Sequence, residues 1–364
     1  MAVQHIVRRA GKRVRAVGIL AAATVLALTA AACGGSGSTG GDEGKADPNA
    51  PTKVTFQPAT ESFAVLTQLN AFAGGYFEKE QLDVTYNTVV SNAAQAAQSV
   101  TGNADIAIVG STGVVPGVTA GRDMVTVAVL TKGPTTQITL RDDVIERLGI
   151  TPDAPIEDRI KALKGLTLAL PQPGSTTDIA VRQSLKIYGV EPDRDLTIRP
   201  ITDPPALVTA MREKQVDGFA FSSPTSVQPV AEGYAKVWVT LSDLPEFKQM
   251  PWIDVVTSKS FLKDNREAVV RFVRALYKSS EDLKAKPDEA REAIRAKYFP
   301  DLDQSVYDLA FDLSLPTATQ GIEPVGESLP VLLEVINSNA DTQVNVSADD
   351  LYDTTVLSDV KAGL

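Results

Sequence analysis

From Thr52 onward the chain alternates short apolar runs with amphipathic stretches, and it passes through this alternation twice in series. In the first pass Val54-Thr55-Phe56 predicts a strand. Phe63 to Gly74 predicts a helix with Phe63, Leu66, Leu69 and Phe72 on one face. Leu82 to Val90 then predicts a strand, and Asn92 to Val100 an Ala-rich helix capped by Ser91 or Asn92. Strands at Asp105 to Val109 and Val125 to Leu130 complete this pass. The second pass predicts strands at Thr136 to Arg141, Leu166 to Leu170, Leu196 to Pro200 and Gly218 to Phe221. Its helices fall at Asp158 to Leu163, Thr177 to Tyr188 and Pro205 to Glu213. Such alternation predicts mostly parallel sheets with helices on both faces. After Pro251 the pattern changes. One more strand, Ile253 to Thr257, leads into long amphipathic helices at Arg266 to Lys284 and Pro287 to Tyr298, read as packing on the first unit. A length of 364 residues suits two α/β units, taking about 150 residues per domain.

Three of the predicted strands share one ending. Asp105 to Val109 runs into Gly110-Ser111-Thr112, Leu166 to Leu170 leads to Gly174-Ser175-Thr176, and Gly218 to Phe221 runs into Ser222-Ser223-Pro224-Thr225. The carboxyl ends of parallel strands are where open α/β sheets bind ligands. A helix N-terminus there offers unpaired N–H groups and the positive end of a dipole. Ser and Thr add hydroxyl donors, and glycine lets backbone approach a ligand closely. The competing reading makes Ser111, Ser175 and Ser223 simple helix caps. The turn after the first strand, with Glu61, Ser62 and Phe63, is a fourth candidate wall. Glu61 there pairs with a ligand amine or simply favours the first helical turn, and Phe63 contacts a ligand or belongs to the core. The spacing fits neither a Walker A loop nor a dinucleotide fingerprint, and no Lys lies in the three loops, which disfavours nucleotides. The nearest cation is Lys132.

Residues 1–32 read as a secretory leader. Arg8, Arg9, Lys12, Arg13 and Arg15 precede an apolar run from Ala16 to Ala32, and no acidic residue occurs before Asp42. Cys33 follows at once, and residues 33–51 continue as a Gly/Ser-rich tether that cannot bury apolar surface. Cys33 is the single cysteine, so no intramolecular disulfide forms. The single histidine, His5, lies in the leader, so the processed chain has no Ser-His-Asp or Cys-His catalysis and no His-ligated metal. An enzyme is not expected, nor a cofactor or metal. The chain's net charge of −10 becomes more negative once the basic leader is removed, which argues against nucleic acid.

These residues resemble a known family. Gly75-Tyr76-Phe77-Glu78-Lys79-Glu80-Gln81-Leu82-Asp83-Val84, Gly102-Asn103-Ala104-Asp105-Ile106-Ala107 and Gln215-Val216-Asp217-Gly218 are similar to phrases of ABC-importer solute-binding proteins, in the nitrate/sulfonate/taurine and thiamine-pyrimidine-precursor group. Leu28-Thr29-Ala30-Ala31-Ala32-Cys33 resembles a lipobox, which implies lipidation at Cys33 and anchoring on the outer face of the cell membrane. The resemblance implies an α/β, two-lobe type II periplasmic-binding fold, each lobe a mostly parallel sheet flanked by helices, with the ligand in the cleft between lobes. Lobe 1 is expected at 52–132 and 245–364, and lobe 2 at 133–244. The implied ligand-binding positions are Glu61, Ser62, Phe63, Ser91, Asn92, Gly110, Ser111, Thr112, Gly174, Ser175, Thr176, Ser222, Ser223 and Thr225. The implied action is hinge closure on a small polar solute, with an aliphatic sulfonate or related anion foremost, then delivery by a monomer to an ABC permease. A sensor or surface lipoprotein without transport, and a binder of a thiamine pyrimidine precursor, are the alternatives.

Overall fold

The computed structural model describes residues 50–364 apart from 60–61, 88–92, 321, 323–328 and 339–341. The expected leader, Cys33 and nearly all of the tether therefore lie outside the described residues.

The first sheet begins with β1 (Thr52–Gln57), β2 (Leu82–Tyr86), β3 (Ile106–Gly110) and β4 (Val125–Lys132). The chain then builds a second sheet from β5 (Thr136–Arg141), β6 (Thr167–Leu170), β7 (Thr197–Pro200), β8 (Gly218–Ser222) and β9 (Ala235–Thr240). It returns to the first sheet as β10 (Pro251–Thr257). The spatial orders are β2-β1-β3-β10-β4 and β7-β6-β8-β5-β9. In each sheet four strands run one way, and a single antiparallel strand, β10 or β5, is inserted fourth. Both inserted strands are buried along their whole length, and their polar members are paired inside: Gln137 accepts from Ser223 and Asp254 from Ser111. The chain passes between sheets at 133–135 and 241–250, and the Gly133 N–H donates to the Met250 carbonyl at 2.8 Å, tying the two connections together.

Helices cover both sheets. On the first lie α1 (Leu66–Ala73), α2 (Ala93–Gln98) and α3 (Val114–Thr119); on the second, α4 (Thr176–Ile187) and α5 (Pro204–Arg212). The long α6 (Arg266–Ala285) packs on α1 and the first sheet. Its Phe272 meets Phe56 at 5.4 Å and Phe77 at 4.6 Å between ring centres, and Phe72 closes the cluster. Asn70 of α1 donates its amide to the Ser279 carbonyl at 3.1 Å. Glu80, nearly buried, is paired with Arg274 at 3.2 Å and Lys278 at 2.7 Å, so its charge does not stand alone in the interior.

Beyond α7 (Pro287–Tyr298) come α8 (Gln304–Ala318) and α9 (Leu329–Asn337), neither anticipated from the sequence. The tail does not stay on the first lobe alone. Ser338, just past α9, accepts a hydrogen bond at 2.6 Å from Lys186 of α4. β9 was also not anticipated; its Trp238 is fully buried and exchanges hydrogen bonds with the backbone and guanidinium of Arg159. No helix among the described residues is long and apolar enough to cross a membrane.

Candidate functional site

A cavity of about 540 Å³ lies between the two sheets. The first lobe contributes Ser62, Ala64 and Val65 from the turn after β1, and Ile108 to Gly110 at the carboxyl end of β3. The second contributes Gln172 and Ser175 to Thr177 after β6, Thr202 to Pro204 after β7, and Phe221 with Ser222 at the end of β8. Trp252 and Ile253 of β10 complete the apolar wall. Five of the contributing strands, β1, β3, β6, β7 and β8, are parallel ones that deliver their carboxyl ends to this space, the position open α/β sheets use for ligands.

The expected site residues divide into three groups. Ser62, Gly110, Ser175, Thr176 and Ser222 do line the cavity. Glu61, Ser91 and Asn92 lie outside the described residues. The remaining six turn elsewhere. The Phe63 ring is buried among Phe299, Tyr307 and Phe311, edge-on at 5.2, 5.6 and 6.2 Å, so it is a core residue. Ser111 is fully buried and donates to Asp254 Oδ1 at 2.8 Å. Ser223 is likewise buried and donates to Gln137 Oε1 at 3.0 Å. Gly174, with φ of 79°, shapes the turn into α4, where its N–H donates to Asp178 Oδ2 at 3.0 Å. Thr225 lines a separate groove beside Pro224 and Arg212. Thr112 is buried at the junction of the lobes.

Two of these residues bridge the lobes. The hydroxyl oxygens of Thr112 and Thr176 lie 2.9 Å apart. A Cβ added at Gly110 would collide with the Thr176 hydroxyl, so only glycine permits this approach. Alongside, the Phe63 N–H donates to the Ser223 carbonyl at 2.8 Å. Beside the connections between the sheets the Trp252 indole donates to Thr135 Oγ1 at 3.1 Å, and the Thr135 and Ser222 hydroxyl oxygens lie 2.9 Å apart. The sequence singled out neither Trp252, Gln172 nor Thr202, because none of them belongs to a strand-end Ser/Thr/Gly cluster.

Among the described residues the lining carries no Lys, Arg or His, and Asp203 is its sole ionisable residue. Lys132, the cation nearest in sequence, is buried at the end of β4 and is not part of the lining. Positive potential comes instead from α4, whose first turn (Thr176 and Thr177) faces the cavity. Ser175 caps that helix by accepting the Asp178 N–H at 3.2 Å. The arrangement thus offers hydroxyl and N–H donors at one wall and Trp252, Phe221, Val109 and Ile108 at the other. It suits a small molecule with an oxygen-bearing head and an apolar body. Directly behind the cavity, Asp254 of β10 is completely buried, and burial pushes its carboxyl up to about 7 despite hydrogen bonds from Ser111 and Thr126 that favour the charged form.

Known proteins share this architecture. YtlA of Bacillus subtilis (strain 168), named a binding protein, is 23% identical over 72% of this chain and 75% of its own length. A solved protein from Bordetella bronchiseptica RB50 superposes with a TM-score of 0.69 at 20% identity, covering 86% of this chain and 98% of that one. The periplasmic aliphatic sulphonate binding protein SsuA of Escherichia coli superposes with a TM-score of 0.63 at 17% identity, covering 81% of this chain and 95% of its own. At these identities the two structures establish the fold, which is that of periplasmic binding proteins. Residues 45–297 match the NMT1-like family, and by that match over more than half its length the chain belongs to the NMT1-like family.

Proposed function

We propose that the protein is the extracytoplasmic solute-binding component of an ABC importer, held on the membrane by lipid at Cys33 and the tether of residues 34–51. It captures one small organic solute by hinge closure and hands it to the permease as a monomer. The observation that carries this reading is the cavity between two sheets joined by two adjacent connections, with hydroxyl donors and a helix N-terminus converging on one wall. The solute we favour is an alkyl sulfonate or a related small anion. Its oxygens accept from Ser175, Thr176, Thr177 and Ser222, and its alkyl part lies against Trp252 and Phe221. The likeness to an aliphatic sulphonate binding protein supports that class. Among the described residues hydrogen bonds and the α4 dipole are the groups that can carry this recognition.

The test is thermal unfolding of residues 34–364 against alkyl sulfonates, taurine, nitrate, aromatic acids and the thiamine pyrimidine precursor. A ligand present at about 1,000 times its dissociation constant stabilises by roughly 4 kcal/mol, a shift of several degrees. A shift confined to the sulfonates supports the proposal. A shift for the pyrimidine alone replaces the solute class, and no shift with any member removes it.

A further inference from the structure

Asp254 sits where three parts of the molecule meet. It lies on β10 between β3 and β4, with no exposed surface. Oδ1 accepts from Ser111 at 2.8 Å, and Oδ2 accepts from Thr126 of β4 at 3.2 Å. Thr126 in turn is bridged to the C-terminal tail: it pairs with Tyr352, and its carbonyl accepts the Asp353 N–H at 2.9 Å. The Tyr352 hydroxyl is buried without a hydrogen-bond partner. Its phenol is pushed up by burial and, secondarily, by the charge of Asp254. The groups acting on the Asp254 carboxyl are thus two hydroxyls and a phenol, and no basic side chain is among them.

Ser111 is the link to the cleft. It follows Gly110, which lines the cavity, and precedes Thr112, which meets Thr176 of the facing lobe. Trp252 and Ile253, immediately before Asp254 on the same strand, line the cavity as well. We propose that Asp254 is a positioning residue for solute capture, which through Ser111 fixes where the Gly110–Thr112 turn meets Thr176 when the lobes close. A carboxylate can accept both hydroxyl protons at once, which is the arrangement observed. A neutral carboxyl must donate from one oxygen, so one of the two bonds reverses or breaks. Burial without a cation brings that change to about pH 7. Solute affinity therefore weakens as Asp254 takes up its proton.

The fluorescence of Trp252 reads the turn without any solute. The chain has two tryptophans, and the difference between wild type and Trp252→Phe isolates the signal of the one in the cleft. The proposal expects a transition of this signal near neutral pH that is absent in Asp254→Asn. It also expects 1-hexanesulfonate to bind at least about threefold more weakly at pH 6 than at pH 8, within the tenfold per pH unit that one linked proton allows. Asp254→Asn should lose this dependence. Ser111→Ala, a mild change should the Asn variant fail to fold, should lose most of it. A Trp252 signal that does not change with pH, one that persists in Asp254→Asn, or tighter binding at pH 6 overturns the proposal. The affinity measurement rests on the sulfonate reading, and the fluorescence measurement does not. If 1-hexanesulfonate fails to bind the wild type, the solute class is wrong and the fluorescence alone decides for or against Asp254.

Discussion

Thr112 and Thr176 touch across the cleft, hydroxyl to hydroxyl at 2.9 Å, although each belongs to a different sheet's strand-end turn. The contact joins the start of α4 to the turn after β3, so under the proposed closure it forms only when the lobes are together. Replacing Thr176 by Val removes that contact and one donor of the proposed head site. Each lost hydrogen bond is worth about 1 kcal/mol, so solute affinity should fall roughly five- to tenfold per bond. The unfolding temperature without solute should move little. Titration calorimetry alongside thermal unfolding separates the two effects.

Gly110→Ala tests the same approach by bulk instead of chemistry. The new methyl meets the Thr176 hydroxyl and holds the lobes apart. Small-angle scattering with saturating solute should show a larger radius of gyration than the wild type. An unchanged radius and affinity would mean that the lobes need not come this close.

Phe63→Ala separates core from cleft. Its ring fills the space among Phe299, Tyr307 and Phe311, so truncation should cost about 3–5 kcal/mol of stability. Below the lowered unfolding temperature, the order of preference among solutes should be unchanged. A change in that order with little loss of stability would put the ring in the binding wall.

Asp203 is the one charge in the lining among the described residues, and its Oδ2 caps α5 by accepting the Ala206 N–H at 3.0 Å. Asp203→Asn keeps a capping oxygen and removes the charge. Affinity for anionic solutes should rise by about twofold, because a like charge is gone, though one that is exposed and screened. A solute bearing an ammonium group should instead bind more weakly. Comparing ethanesulfonate with taurine in both proteins distinguishes the outcomes.

Stability should also follow pH through Asp254. Its folded carboxyl holds a proton up to about 7, whereas an unfolded aspartate releases it near 3.9. Between these values the folded state binds more protons, so stability contributed by this group falls as pH rises, by at most roughly 4 kcal/mol, and levels off above neutrality. Asp143 works in the opposite sense. Arg141 beside it holds its carboxyl at about 2, so its contribution is present above about pH 4 and is lost on acidification. Denaturant titrations of wild type and Asp254→Asn from pH 4 to 8 should converge at low pH and diverge at neutrality, with the variant the more stable.

The fold was legible wherever a strand is buried on both faces. β5 was anticipated at its observed limits, because Thr136, Ile138 and Thr139 are β-branched and the Gly133-Pro134 turn bounds them. β9 was harder: its Lys236 and Val237 are not buried, so no continuous apolar run marks it. The hydroxyl clusters were legible as clusters, but not residue by residue. Ser175 and Ser222 face the cavity, while Ser111 and Ser223 turn inward to Asp254 and Gln137. Those buried partners lie 143 and 86 residues away along the chain, and local spacing carries no trace of them. Phe63 shows the same limit, since its neighbours are Phe299 and two residues of α8, far along the chain.

The insertion of β10 between β3 and β4 has a consequence for synthesis. The second sheet is complete once Thr240 has left the ribosome, because all five of its strands lie between Thr136 and Thr240. The first sheet begins earlier and ends later: until Thr257 emerges, β4 has no neighbour in its own sheet and β3 has an open edge. The lobe that starts first is therefore finished last. A nascent chain must keep those two apolar edges from other partners while more than a hundred residues are added.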